Sequence, residues 1–238
     1  MRVYTIEELL SGNSYPGRGV LLGLSPDGKK AVAAYFIMGR SVNSRNRIFL
    51  PLGDDLQIRP FDESLVSDPS LIIYSPLRVW KNQTIVTNGD QTDTVYEGFE
   101  AGLSFEDALM SRCYEPDEPN FTPRISGLLS FDGGFSYRLS ILKRENENGA
   151  CGRYCYRYEP SAGFGHLIHT YQQDGNPLPT FTGEPECLQL CDDIDELSQR
   201  LWKSLDPENK ISLAVRYIDL ESGSYTQRII NKHEEVPA

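Results

Sequence analysis

Three short turn signals, each set between two apolar runs, constrain this chain more than any other feature of its sequence. Ser25-Pro26-Asp27-Gly28 separates residues 19–24 from 30–38, with Pro and Gly in the order a tight turn requires. Asp132-Gly133-Gly134 separates 125–131 from 135–143, and Glu221-Ser222-Gly223 separates 211–217 from 224–230. Strands joined this tightly run antiparallel, because a parallel pair needs a crossover of about a dozen residues or more. Phe135, Tyr137, Leu139 and Ile141 alternate with Ser136, Arg138 and Ser140, the period of a half-buried strand. Shorter strands are predicted at 71–74, 77–80, 83–87 and 165–171.

Two helical patterns interrupt the hairpins. Residues 95–114 read as a helix broken near Gly102-Leu103-Ser104, with Ser104 and Asp107 at capping-box spacing to start the second piece. In 192–205, Ile194, Leu197, Leu201 and Leu205 form one apolar stripe, and Pro207 stops the helix. Hairpins broken by helices predict a layered α+β fold rather than a parallel βαβ sheet. Residues 51–70 are turn-rich and read as an irregular insertion, 144–164 as a polar surface excursion, and 231–238 as a frayed tail. The 238 residues fit a single domain, 1–238.

Charge narrows the function. A formal net charge of −11 argues against non-specific nucleic-acid binding, which needs a basic surface. It leaves room for an anionic small molecule, since a few local arginines can hold a phosphate. The first 17 residues carry acidic side chains and no apolar stretch of the kind a signal peptide needs, and no window suggests a membrane span. A cytoplasmic location is therefore expected. Five cysteines, an odd number, argue against a disulfide framework; the pairs Cys151/Cys155 and Cys187/Cys191 read as ordinary thiols, with a zinc site as the lesser alternative. His166 and His169, three apart in one strand, point to opposite faces, so no metal site is expected of them. Neither a glycine-rich dinucleotide loop, a Walker loop, a His-Glu-x-x-His helix nor a Gly-x-Ser-x-Gly elbow is present.

The chemistry-bearing residues cluster around 78–125. A polar loop at 88–94 and the run Asp117-Glu118-Pro119-Asn120-Phe121-Thr122-Pro123-Arg124 bracket the helical segment. Upstream, 39–47 carries Arg40, Arg45 and Arg47, either a solvated loop or a phosphate clamp at a strand end. Tyr74, just before a turn, faces either a site or solvent.

The motifs at 86–94 and 114–125 resemble the archaeal-type inosine monophosphate (IMP) cyclohydrolase family. Ala34-Tyr35, Gly39-Arg40-Ser41, Arg45, Ile73-Tyr74, Arg78-Val79 and His169-Thr170-Tyr171 follow in the family's order, so the resemblance spans roughly 15–230. Extra length lies in an N-terminal extension (1–17) and in insertions at 51–70 and 144–164, and Asp90-Gln91 replaces the Ser-His pair of archaeal members. The resemblance implies a four-layer αββα sandwich like that of the N-terminal nucleophile hydrolases, here without an N-terminal nucleophile. It implies closure of 5-formamidoimidazole-4-carboxamide ribonucleotide to IMP in purine biosynthesis, with no metal or other cofactor and with a homo-oligomer as the assembly. Matching positions give Arg45, Tyr74 and Glu118 as catalytic. Arg40, Arg47, Arg78, Asn88, Gly89, Thr92, Asp93, Asn120 and Arg124 become substrate-binding candidates. Two alternatives stay open: a purine-ribonucleotide-binding homologue without catalysis, and an amide hydrolase of the N-terminal nucleophile type.

Overall fold

Strand alternation sorts this chain's apolar residues into separate cores. In the strand Lys30–Met38, Ala31, Val32, Ala33, Ala34, Tyr35, Phe36, Ile37 and Met38 are all buried, the signature of a strand covered on both faces. The odd positions enter one core with a second sheet, and the even ones enter another beneath helices.

The computed structural model describes residues 2–65 and 73–234. In chain order the elements are α1 (Ile6–Leu10), β1 (Arg18–Leu24), β2 (Lys30–Met38), α2 (Val42–Arg45), β3 (Ile48–Leu52), β4 (Asp55–Arg59), β5 (Leu77–Trp80) and β6 (Gln83–Thr87). Then come α3 (Gln91–Glu100), α4 (Phe105–Leu109), β7 (Arg124–Ser130), β8 (Ser136–Arg144), β9 (Cys151–Tyr158), β10 (Phe164–His169) and β11 (Glu186–Gln189). The helix α5 (Ile194–Ser204) and the strands β12 (Lys210–Asp219) and β13 (Tyr225–Asn231) follow. A six-stranded sheet has the order β11-β10-β1-β2-β12-β13, and a seven-stranded sheet runs β3 to β9 in sequence. Every pairing between these strands is antiparallel, as the tight turns require.

Val20, Leu22, Tyr35 and Ile37 of the first sheet meet Phe49, Ile58, Val86, Ile125 and Leu139 of the second in the central core. Ile6, Leu10, Leu197 and Leu201 of α1 and α5 cover the outer face of the first sheet. Val95, Phe99, Phe105 and Leu109 of α3 and α4 pack on Ile85 and Leu128 outside the second. The predicted α+β class and all three hairpins hold.

Several local readings change. Residues 51–59 are not irregular: they complete β3 and form β4, because Leu56 and Ile58 reach the central core. Residues 66–72 lie outside the described residues, and Ile73 and Tyr74, the described end of the predicted 71–74 strand, form no strand because only the Tyr74 carbonyl bonds to β4. Within 144–164, β9 pairs with β8 along its length, although Tyr154 and Cys155 on it stay exposed. The predicted 88–94 loop is shorter, since α3 already starts at Gln91. Asn231 is buried rather than frayed, because its side chain bonds both backbone groups of Phe49.

Candidate active site

One end of the sandwich gathers most of the buried polar groups. There β1 and β7 begin and β2, β6 and β10 end. Arg18 opens β1 on the parity of Val20 and Leu22, which places it at the mouth of the central core. Tyr35, on the inward face of β2, is buried with its hydroxyl 2.7 Å from that of Tyr74. The Tyr74 backbone is fixed by its carbonyl, which accepts from Ile58 N at 3.0 Å. Arg47, just ahead of β3, is also buried: Nε donates to the Ser44 carbonyl at 2.7 Å and Nη2 to the Met38 carbonyl at 3.3 Å. Arg47 Nη1 and Arg18 Nε are buried with no protein acceptor.

Burial and the neighbouring Arg18 both lower the pKa of Arg47, while Tyr74, Tyr35 and Tyr15 favour its charge. Burial also opposes the charge on Arg18, yet Glu115 first, then Tyr171, Tyr74 and Tyr15, raise its pKa well above the usual arginine value. Two guanidiniums that repel one another, with unfilled N–H groups between tyrosine hydroxyls, make a place for an anionic or strongly polarised oxygen.

Glu115 supplies the carboxylate. It follows α4 in a loop closed by its own N–H donating to the Thr122 carbonyl at 2.9 Å. Asp117 braces that loop, accepting from Thr122 N at 2.6 Å and from Thr122 Oγ1 at 2.5 Å, and Thr122 Oγ1 also meets the Tyr171 hydroxyl at 2.5 Å. Phe121 holds φ = +46°, a left-handed conformation that costs a bulky residue roughly 1–2 kcal/mol and that the surrounding bonds impose. Burial pushes the Glu115 carboxyl above its usual range; Arg18 and Arg124 pull it back, and Asp117 and Asp90 push it up. A carboxyl whose proton affinity is raised in this way suits general acid–base work. Gly89 permits the crowding: a Cβ there would lie 2.7 Å from Arg124 Nη1 and 3.5 Å from Glu115 Oε1.

The residues singled out by sequence divide into three groups. Tyr74 and Arg47 lie in the buried cluster, and Arg124 and Gly89 border it beside Glu115. Arg124 Nη1 donates to Asp90 Oδ1 and to Gln91 Oε1, both at 2.7 Å, and Asp90 also pairs with Arg112. Asn88, Thr92, Asp93, Asn120 and Arg78 brace the scaffold. Asn88 accepts from Ile125 N and donates to the Pro123 carbonyl, Thr92 pairs with Thr87, and Asn120 accepts from Leu178 N. Arg78 binds Asp93 at 2.9 Å and Asp55 at 3.4 Å and lies over the Tyr96 ring. Arg40, Arg45 and Glu118 are exposed. Arg45 donates to the Gly39 carbonyl and Asn209 Oδ1, while Arg40 pairs with Asp174 and stacks on Tyr15. Sequence reasoning missed Arg18, Tyr35 and Glu115. The charge heading the apolar run of β1 and the first acid of the 114–125 motif were the available signals.

The fold and the cluster define a two-sheet α+β protein with a buried Arg–Tyr–Glu site at one end of the strands. The chain belongs to the family described as IMP cyclohydrolase-like protein, matched over residues 15–223. It is 32% identical over 186 residues to the IMP cyclohydrolase of Methanopyrus kandleri, covering 76% of this chain and 87% of that one. It is 33% identical over 165 residues to the IMP cyclohydrolase of Methanothrix thermoacetophila, covering 68% of this chain and 76% of that one.

Proposed function

We propose that this chain is an IMP cyclohydrolase, closing 5-formamidoimidazole-4-carboxamide ribonucleotide to IMP with loss of water. Family membership supports the reaction. The observation that carries it to particular side chains is a pair of arginines near Tyr74 and Glu115, each with one buried nitrogen, Arg18 Nε and Arg47 Nη1, that has no protein acceptor.

The carboxamide nitrogen attacks the formyl carbon of the same molecule, so holding the two groups in line is the first task. Negative charge then grows on the formyl oxygen. Arg47 and Tyr74 donate to it from fixed positions in a dry site, where such hydrogen bonds are strongest. Glu115 accepts a proton from the attacking carboxamide nitrogen and passes it to the formyl oxyanion; it then takes the proton of the formamido nitrogen as the ring C=N forms and gives it to the hydroxyl, which departs as water. Arg18 keeps the ionised form of Glu115 accessible despite burial. Asp117, Thr122 and Tyr171 hold the loop that presents Glu115. Arg40 and Arg78 are both held by carboxylates, Arg40 by Asp174 and Arg78 by Asp55 and Asp93, so a phosphate would take Arg40 only by displacing Asp174.

In this reading the acid is Glu115 and the oxyanion-side arginine is Arg47, in place of the more exposed Glu118 and Arg45. The fold is the αββα arrangement of the N-terminal nucleophile hydrolases, a reading supported by helices covering the outer face of each sheet. A cytoplasmic homo-oligomer completes it: no helix among the described residues is long and apolar enough to cross a membrane, and β9 ends its sheet with an edge. Sedimentation of the purified chain checks the assembly.

The decisive assay follows IMP formation by absorbance in wild type, Glu115→Gln, Tyr74→Phe and Glu118→Gln. Loss of about 10²–10⁴ in kcat is expected for Glu115→Gln, with Glu118→Gln near wild type. The reverse ranking would overturn the residue assignment, and a wild type without turnover at saturating nucleotide would overturn the reaction.

A further inference from the structure

At the end of the sandwich remote from Arg18, a cleft of about 730 Å³ opens between the turns that join β5 to β6 and β12 to β13. Arg216 lies at its floor. On β12 it shares the inward parity of Ala214 and Ile218, which belong to the central core, and it is only 2% exposed. Its Nε and Nη2 both donate to Gln227 Oε1, at 2.9 and 2.7 Å, and its plane lies 4.0 Å from the centre of the Tyr225 ring. Both partners are neutral. They occupy the Nε–Nη2 edge and one face of the guanidinium and leave the Nη1–Nη2 edge, which can also grip a carboxylate or phosphate through two parallel hydrogen bonds.

A buried charge needs a partner or it costs stability. Asp54 and Asp55 act on Arg216 only at longer range and are engaged elsewhere. Asp54 accepts from the Tyr225 hydroxyl at 3.1 Å, and Asp55 accepts from Val79 N at 2.9 Å and pairs with Arg78. Lys81 stands on the same cleft with its ammonium over the Trp80 ring, whereas the Ser222 hydroxyl is already engaged, donating to Asp219 Oδ1 at 2.8 Å. Asp219, also on the wall, is consumed by capping Ser222 N at 2.8 Å.

We infer that this cleft is a second binding site, taking a small molecule through a compact oxyanion, a carboxylate or a phosphate, held on Arg216. The acidic wall disfavours a polyanion. The site is independent of what the opposite end of the molecule does.

Acetate and inorganic phosphate, titrated separately into the full-length chain, test it by NMR of the Arg216 Nε–H and the Ser222 and Gly223 amides. Saturable shifts of these signals are expected with at least one probe, and which probe acts tells a carboxylate site from a phosphate site. Arg216→Lys keeps the charge but loses the fork, and should weaken binding about tenfold or more. Lys81→Ala, at an exposed turn, should weaken it by a smaller factor while leaving the spectrum folded. Absence of saturable shifts with both probes would overturn the inference. So would unchanged affinity in Lys81→Ala together with unchanged affinity or a collapsed spectrum in Arg216→Lys.

Discussion

Glu115 and Glu118 stand three residues apart in one motif, and their environments separate them: one is buried between two arginines, the other exposed. Nothing local in the sequence marks that difference, because burial is decided by what packs over the loop. His166 shows the same dependence. Its Nδ1 meets the Tyr137 hydroxyl at 2.7 Å, its ring stacks on Tyr158 at 3.6 Å, and Nε2 is buried without a partner. Burial lowers its pKa from 6.5 to about 4. The folded pKa lies below the unfolded one, so the unfolded chain takes up the proton first as pH falls. The contribution is whole above about pH 6.5 and is lost towards pH 4, an effect on the order of 3 kcal/mol. Urea midpoints should therefore drop over this range, and less steeply in His166→Phe. Equal slopes in the two proteins would remove His166 as the cause.

The hairpins were legible because turn chemistry is local: Pro and Gly set backbone angles within four residues, whatever packs around them. The second helical piece was legible for the same reason, since Ser104 accepts from Asp107 N as its spacing predicts. The start of α3 was not. Asp90 precedes it without a capping bond, because its carboxylate is drawn off to Arg124 and Arg112. β4 and β9 were obscured differently: β4 alternates, with Leu56 and Ile58 inward, but over only five residues, and β9 is exposed along much of its length. Close strand approach also appears at this scale. A Cβ on Gly23 would lie 2.5 Å from the Phe164 carbonyl oxygen and 2.5 Å from Gly165 Cα, backbone atoms that cannot turn aside. Gly23→Ala should destabilise by about 1–3 kcal/mol or more in urea unfolding, by forcing β1 from β10. A change within about 0.5 kcal/mol, the range of a neutral surface substitution, would show that the strands can part at little cost.

Across the whole molecule, a buried side chain helps tie the two sheets together at one side. Asn231, the last residue of β13, accepts from Phe49 N at 2.8 Å and donates to the Phe49 carbonyl at 3.0 Å, so it mimics a strand pairing between the sheets. Asn231→Ala leaves two buried backbone groups unpaired and should cost about 2 kcal/mol or more, read from denaturant midpoints. Retention of wild-type stability would mean that water or a shifted β3 replaces the tie. The sequence by itself determined the antiparallel hairpins, the α+β class, the stripe of α5 and the motifs of the IMP cyclohydrolase-like family, because turns, periodicity and motif spacing act over a few residues. Only the tertiary structure decided which side chains meet. Arg18, Tyr35, Arg47, Tyr74 and Glu115 come from five separate segments, and their burial, mutual charge and proton affinities exist only once two sheets close over them.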